Sequence, residues 1–220
     1  MSVNTSINTI SQNIPPQIMA DEEIFYPSND PNAMPETDIH FKLIANLVLT
    51  LAAFFHNRAD ANAFGDIMFY YKEGSPKHFV APDVMVCFGA NKSPRRVYKL
   101  WEETTPKVII EIASGSTWRD DLEKKFELYE FLDIDEYYVY DPTYQYLPTP
   151  FVAYRLINKQ FVDVKIENGR VFSEALGLEL IDTGETLRLF NPETNEFLMT
   201  MEEMATEIAR LKAEKQNDGK

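Results

Sequence analysis

Two carboxylates stand in apolar company. Asp83 lies within "VAPDVMVCF" (80–88) and Glu111 within "KVIIEIA" (107–113). Runs with apolar residues at both odd and even positions mark strands covered on both faces. An ionised carboxylate buried there costs several kcal/mol unless something compensates it. Side chains alternate along a strand, so two paired strands can aim Asp83 and Glu111 at one point. Nearby carboxylates repel unless a proton or cation lies between them. Oxygen donors of this kind suit Mg²⁺ or Mn²⁺. A cation there could activate water and neutralise charge growing on a phosphate oxygen.

Such chemistry gains from a positive side chain where negative charge concentrates. The position two residues after Glu111, on the same face, is the obvious place for a lysine, but it is Ala113. Lys125 is the candidate instead. It borders the apolar stripe of a downstream helix, and its flexible stem can carry the ammonium toward the strand ends. Lys124 points about 100° away, into solvent. Asp121, one turn before Lys125, either orients it or forms a plain surface pair with it. The residues alone also allow a structural account. Asp83 follows Pro82 and could sit at a bend near the strand entry, and Glu111 could pair with a neighbouring Lys or Arg. Ser114 and Ser116 serve the turn after Glu111, with no Ser/His/Asp arrangement around them to make a nucleophile.

The elements that must position these groups are readable from periodicity. A helix starts at Thr37 or Asp38, either of which can cap it. Ile39, Leu43, Leu47, Leu51 and Phe55 recur every four residues, with Ile44, Val48 and Phe54 widening the stripe. Strands are expected at about 66–72, 79–88 and 107–113. A helix follows, with Thr117 as its N-cap and Asp120 completing a capping box. Leu122, Phe126, Tyr129 and Leu132 share one of its faces. The next strand, "EYYVYDP", is stopped by Asp141-Pro142. Shorter strands are expected near 151–157, 160–166 and 170–172, with a hairpin turn at Asn168-Gly169. This order predicts an α/β fold with a mixed central sheet and flanking helices. Residues 1–20 read as a flexible polar arm, 21–195 as the domain, and 196–220 as a C-terminal helix and tail. Met201, Met204, Ile208 and Leu211 alternate three and four apart there, but less than two heptads is too short to establish a coiled coil, and a surface or docking helix is the expected reading rather than a zipper.

Bulk composition bounds the function. The chain has 220 residues, is 45% hydrophobic and 13% aromatic, and carries 21 Lys and Arg against 35 Asp and Glu, a net charge of −14. A chain so acidic does not attract polyanions as a whole, so nucleic-acid contact needs a local basic patch or a bound cation. The single cysteine, Cys87, excludes an intrachain disulfide and a cysteine-rich metal site, and points to a reducing compartment. The longest apolar region, from Leu43 to Phe55, is broken by Asn46 and Thr50 and reads as a core helix, so no membrane partner is expected. The first residues have no basic start or apolar centre of a secretion signal, and a cytoplasmic location follows by default. The clearest basic cluster is "NKSPRRVYKLW". Its Lys92, Arg95, Arg96 and Lys99 could neutralise phosphates while Tyr98 and Trp101 stack on bases. Alternatively the aromatics are core and the charges a solvated loop.

Taken together, "PETDIHFKLIANL", "APDVMVCF", "PKVIIEIASGST" and "WRDDLEKKFELYEFLDIDEYYVYDP" resemble the restriction endonuclease-like family of the PD-(D/E)XK nuclease superfamily. The resemblance runs from about Glu36 to Pro142 and continues weakly to about 190. It implies a restriction endonuclease-like fold and a Mg²⁺- or Mn²⁺-dependent DNA endonuclease that pairs into a homodimer. By carry-over Asp83 and Glu111 are the acidic metal ligands, the Ile112 carbonyl is a further ligand, and the lysine has moved from position 113 to Lys125. The superfamily often carries another acid near the start of the first helix. Here Glu36 reads as a surface or capping residue and His40 as a solvated helix residue. Two other functions stay open: a catalytically inactive binding or assembly module, which the acidic charge and Ala113 favour, and a phosphoesterase acting on small nucleotides.

Overall fold

The first helix is set by its cap. In a computed structural model of the chain, Thr37 is extended (φ −78°, ψ 157°) and its Oγ1 accepts the His40 amide, starting α1 (Asp38–Phe54). The structure describes residues 24–27, 37–90 and 92–218; the expected arm 1–20 and Glu36 lie outside them. Leu43, Ile44, Leu47, Leu51 and Phe55 are buried as expected, but Ile39 is exposed. The buried face begins instead at His40, one turn before Leu43 and Ile44.

Strands β1 (Ala61–Phe64), β2 (Phe69–Tyr70), β3 (Phe79–Val80), β4 (Val84–Phe88), β5 (Tyr98–Lys99) and β6 (Val108–Ile112) follow. Then come α2 (Trp118–Leu122), α3 (Lys124–Phe131), β7 (Glu136–Tyr140), β8 (Phe151–Ile157) and β9 (Gln160–Asp163). The last elements are β10 (Arg170–Ser173), β11 (Leu178–Asp182), β12 (Leu187–Asn191), β13 (Glu196–Phe197) and α4 (Met201–Asp218). The central sheet has the order β1-β4-β6-β7-β8-β9, with β6 and β7 parallel and the other pairs antiparallel. The parallel pair needs a crossover, which α2 and α3 supply. This is the expected α/β class with a mixed central sheet and a C-terminal helix.

The sheet divides two cores. Val84, Val86, Val108, Ile110 and Ile112 face α1 and the second sheet, which has the order β10-β11-β12-β13. Met85, Cys87, Ile109, Tyr137 and Val139 face the other way, toward Tyr129 and Ile134. Period-two alternation therefore sends Glu111 to the α3 side.

Three local expectations change. The single strand at 79–88 is two strands in different sheets, β3 pairing with β2 and β4 with β1 and β6. Pro82 has no amide to continue a ladder, and the Asp83 amide is turned to the Glu111 carboxylate. The helix expected from Thr117 is two helices, broken at Glu123 (φ −116°, ψ −79°), and Thr117 gives it no side-chain cap. Its hydroxyl accepts the Ser114 amide and so closes the preceding turn. A capping box forms at α4 instead: Thr200 Oγ1 accepts the Glu203 amide, and Glu203 Oε2 accepts the Thr200 amide at 2.8 Å. The turn expected at Asn168-Gly169 is present, with φ of 54° and 71° between bridged Glu167 and Arg170. Strands β1, β5, β11, β12 and β13 were not expected. No helix among the described residues is long and apolar enough to cross a membrane.

Candidate functional site

Antiparallel pairing of β4 with β6 puts Val84 opposite Ile110, and one step further along the same register Asp83 faces Glu111. The two acids hold each other's strands. The Asp83 amide donates to Glu111 Oε2 at 3.2 Å, and the Ile112 amide donates to Asp83 Oδ2 at 2.6 Å. Glu111 is fully buried and Asp83 nearly so. Burial first, and then the Glu111 charge, push the Asp83 carboxyl up to about 7.

The crossover helices bring the cation. Lys125 Nζ lies 3.0 Å from Glu111 Oε2 and 2.9 Å from Asp121 Oδ1. Burial alone would lower the ammonium's pKa, but the charges of Glu111, Asp121 and Asp83 outweigh it and raise it. Lys125 therefore stays positive at any ordinary pH. Asp121 is buried, not the surface partner that an i,i+4 pair usually has. Burial, opposed by Lys125 and reinforced by Glu111, pushes it up to about 6. The Tyr137 hydroxyl donates to the Asp121 carbonyl at 2.8 Å and ties α2 to the sheet. Tyr129, on α3, donates to Glu111 Oε1 at 2.7 Å, and burial and Glu111 keep its hydroxyl protonated. Lys124 faces out and pairs with Asp120 at 2.8 Å. The break at Glu123 lets one crossover present Asp121 from α2 and both Lys125 and Tyr129 from α3.

From the opposite face α1 delivers His40, which is buried rather than solvated. Its Nε2 lies 2.8 Å from the Ile112 carbonyl oxygen and 3.3 Å from Asp83 Oδ2. A carbonyl can only accept, so Nε2 carries the proton of that hydrogen bond. Sequence reasoning missed this residue because it weighed His40 as a single polar side chain. The signal was its phase, three and four residues before Leu43 and Ile44 on the buried face.

The structure thus brings Asp83, Glu111, Lys125 and the Ile112 carbonyl to one place and adds His40, Asp121 and Tyr129. It does not arrange the basic cluster as an open patch. Arg95 is largely covered, pairs with Glu103 at 3.3 Å and lies over the Phe64 and Tyr98 rings. Tyr98 is fully buried, with its hydroxyl on the Thr104 carbonyl. Lys99 pairs with Glu102, and Lys92 binds the Phe55 carbonyl at the end of α1. Arg96 is exposed. Trp101 packs on Tyr26. Tyr98 is therefore core, while Trp101 is half-buried against Tyr26.

Which residues could hold a divalent ion follows from donor chemistry. Asp83 and Glu111 are hard oxygen donors side by side; burial is the main cause of the rise in Asp83, and a cation would relieve the Glu111 repulsion that adds to it. Among the described residues no group of three or more His, Cys, Asp or Glu is placed to hold a metal. Two carboxylates with a carbonyl and waters are nonetheless a set that Mg²⁺ accepts.

A family model, Uma2, described as "Putative restriction endonuclease", matches residues 18–181. A solved structure described as a "putative nuclease belonging to DUF820", from Anabaena variabilis ATCC 29413, is 15% identical. The match covers 66% of this chain and 76% of that one, with a TM-score of 0.49. No curated protein matches.

Proposed function

The chain belongs to the Uma2 family, which ties it to nuclease-type chemistry, and from that premise we propose that it is a Mg²⁺- or Mn²⁺-dependent endonuclease hydrolysing DNA phosphodiester bonds at Asp83, Glu111 and Lys125. One observation carries the reading: two buried carboxylates face each other across β4 and β6 with a lysine ammonium 3.0 Å from one of them. Asp83, Glu111 and the Ile112 carbonyl would hold the ion. When bound, it supplies a water of lowered pKa and a positive charge against the phosphate.

The protein's own groups do the rest. The Tyr129 hydroxyl and the Asp83 amide fix the two Glu111 oxygens, so the carboxylate cannot rotate away. The Ile112 amide does the same for Asp83. Lys125, held charged by Asp121 and Glu111, stabilises negative charge concentrating on the phosphate and cannot act as a base. His40 steadies the Ile112 carbonyl and Asp83 from behind.

A second reading, a catalytically inactive nuclease-fold binding or assembly module, draws on one observation. Asp83 Oδ2 and both Glu111 oxygens already have donors within the chain. Plasmid nicking and calorimetry separate the two readings. Wild type should nick with Mg²⁺ and bind Mn²⁺ with measurable heat, and Glu111→Ala should lose both. Equal nicking by the two proteins, or no Mn²⁺ heat with wild type, would rule out the metal-dependent nuclease.

The pH dependence has a definite sign. The folded Asp83 pKa, about 7, lies above the ordinary carboxyl value of 3.8. The stability contributed by its protonated form is complete below the unfolded value and is lost as pH rises through about 7. A divalent ion must displace that proton, so Mn²⁺ affinity should rise about tenfold per pH unit up to about 7 and level off above it. Calorimetry in buffers of different ionisation heat reads the proton release directly. An affinity that is flat between about pH 5.5 and 8 would show that Asp83 does not ionise on binding.

A further inference from the structure

Among the described residues, helix α4 is anchored only at its start. Its capping box and the Arg188–Glu203 ion pair at 2.9 Å fix the first turn, and Thr50 donates to the Met199 carbonyl just before it. From Ala205 to Gln216 every side chain is exposed except half-buried Glu207. A short helix standing in water gains little stability from its own backbone.

Its apolar residues form one seam. Met201, Met204, Ile208 and Leu211 follow the 3-4-3 spacing of coiled-coil a and d positions, and Met201, Ile208 and Leu211 are 47%, 52% and 46% exposed. β-branched Ile208 at a, with Leu211 at d, favours two parallel strands. The flanking charges select the same direction. Glu207 occupies a g position and Lys212 the e position of the next heptad. A parallel pair in register sets each Glu207 against Lys212 of the partner subunit, twice across the two-fold axis. An antiparallel pair would instead oppose the g-position acids Glu207 and Glu214. Lys215, at the following a position, ends the seam.

We infer that α4 pairs in parallel with α4 of a second copy of this chain, setting two bodies side by side at one end of a short two-stranded coil. This pairing does not depend on the chemistry at Glu111.

Sedimentation equilibrium of the full chain over a concentration series tests it. Wild type should follow a monomer–dimer equilibrium, and Ile208→Glu, at an exposed position that leaves the fold intact, should be monomeric. Glu207→Lys and Lys212→Glu should each weaken association about tenfold, since each replaces two attractive pairs by repulsive ones. Mixing these two variants should restore association by heterodimer formation. Wild type that stays monomeric overturns the inference. So does an Ile208→Glu protein that still dimerises, which would place the interface elsewhere. A mixture no tighter than its components overturns the parallel register.

Discussion

Lys125→Met should lower kcat for Mg²⁺-dependent nicking by about 10²–10³-fold, the loss typical when one preorganised charge or donor is removed from a transition state. Methionine keeps an unbranched stem against the apolar surface and removes only the ammonium. Because Lys125 lies within 3.0 Å of both Glu111 and Asp121, its removal leaves acids without their internal cation. Mn²⁺ affinity should therefore stay the same or tighten while kcat falls. That split distinguishes a charge acting on the phosphate from a residue that merely holds the site together, whose loss would weaken both. Lys125→Arg should recover part of the rate. Undiminished nicking by a folded Lys125→Met protein would remove Lys125 from the mechanism.

The largest effect on stability is expected at Glu136, away from the chemistry. This residue is buried at the start of β7. Its carboxylate accepts the hydroxyls of Ser173 and Tyr138 and the amides of Glu174 and Ala175, and lies 3.6 Å from the Arg155 guanidinium. Ser173 ends β10, so Glu136 joins the second sheet to the central one. Glu136→Ala leaves these donors facing a void, and removing one partner of such a buried charge network costs about 3–5 kcal/mol. Glu136→Gln keeps the shape and one acceptor and should cost less. Urea unfolding gives the difference as a shift in midpoint at constant slope. A loss below about 1 kcal/mol, the scale of one ordinary hydrogen bond, would mean that the sheets are joined by apolar packing alone.

Some of this architecture could be read directly. Residues 43, 47, 51 and 55 recur at helical period, and the apolar runs around β6 and β7 announce strands buried on both faces. The acids stood out because they interrupt such runs. Asp83, Glu111 and Lys125 could be selected together because strand alternation and helix phase are local, short-range geometry. The break at Glu123 was hidden because "WRDDLEKKFELYEFL" carries helical residues throughout. Its backbone departs from helix between Asp121 and Lys125, so that Asp121 from α2 and Glu111 from β6 both meet the Lys125 ammonium. Arg95 looked like a free phosphate contact because nothing in "NKSPRRVYKLW" shows that Glu103, eight residues on, folds back to pair with it.

By itself the sequence determined the class of fold, the strand that carries Glu111, the apolar run that Asp83 leads into, and the helical stretch that carries Lys125, since each depends on periodicities within about one element. Tertiary structure alone decided that His40 is buried, that Asp121 is an internal partner and that Glu136 is the junction of two sheets. Each of these depends on contacts between residues tens of positions apart, such as His40 with Ile112 or Glu136 with Ser173. A polar side chain is stable inside only when such a distant partner arrives, and no local pattern records whether it does.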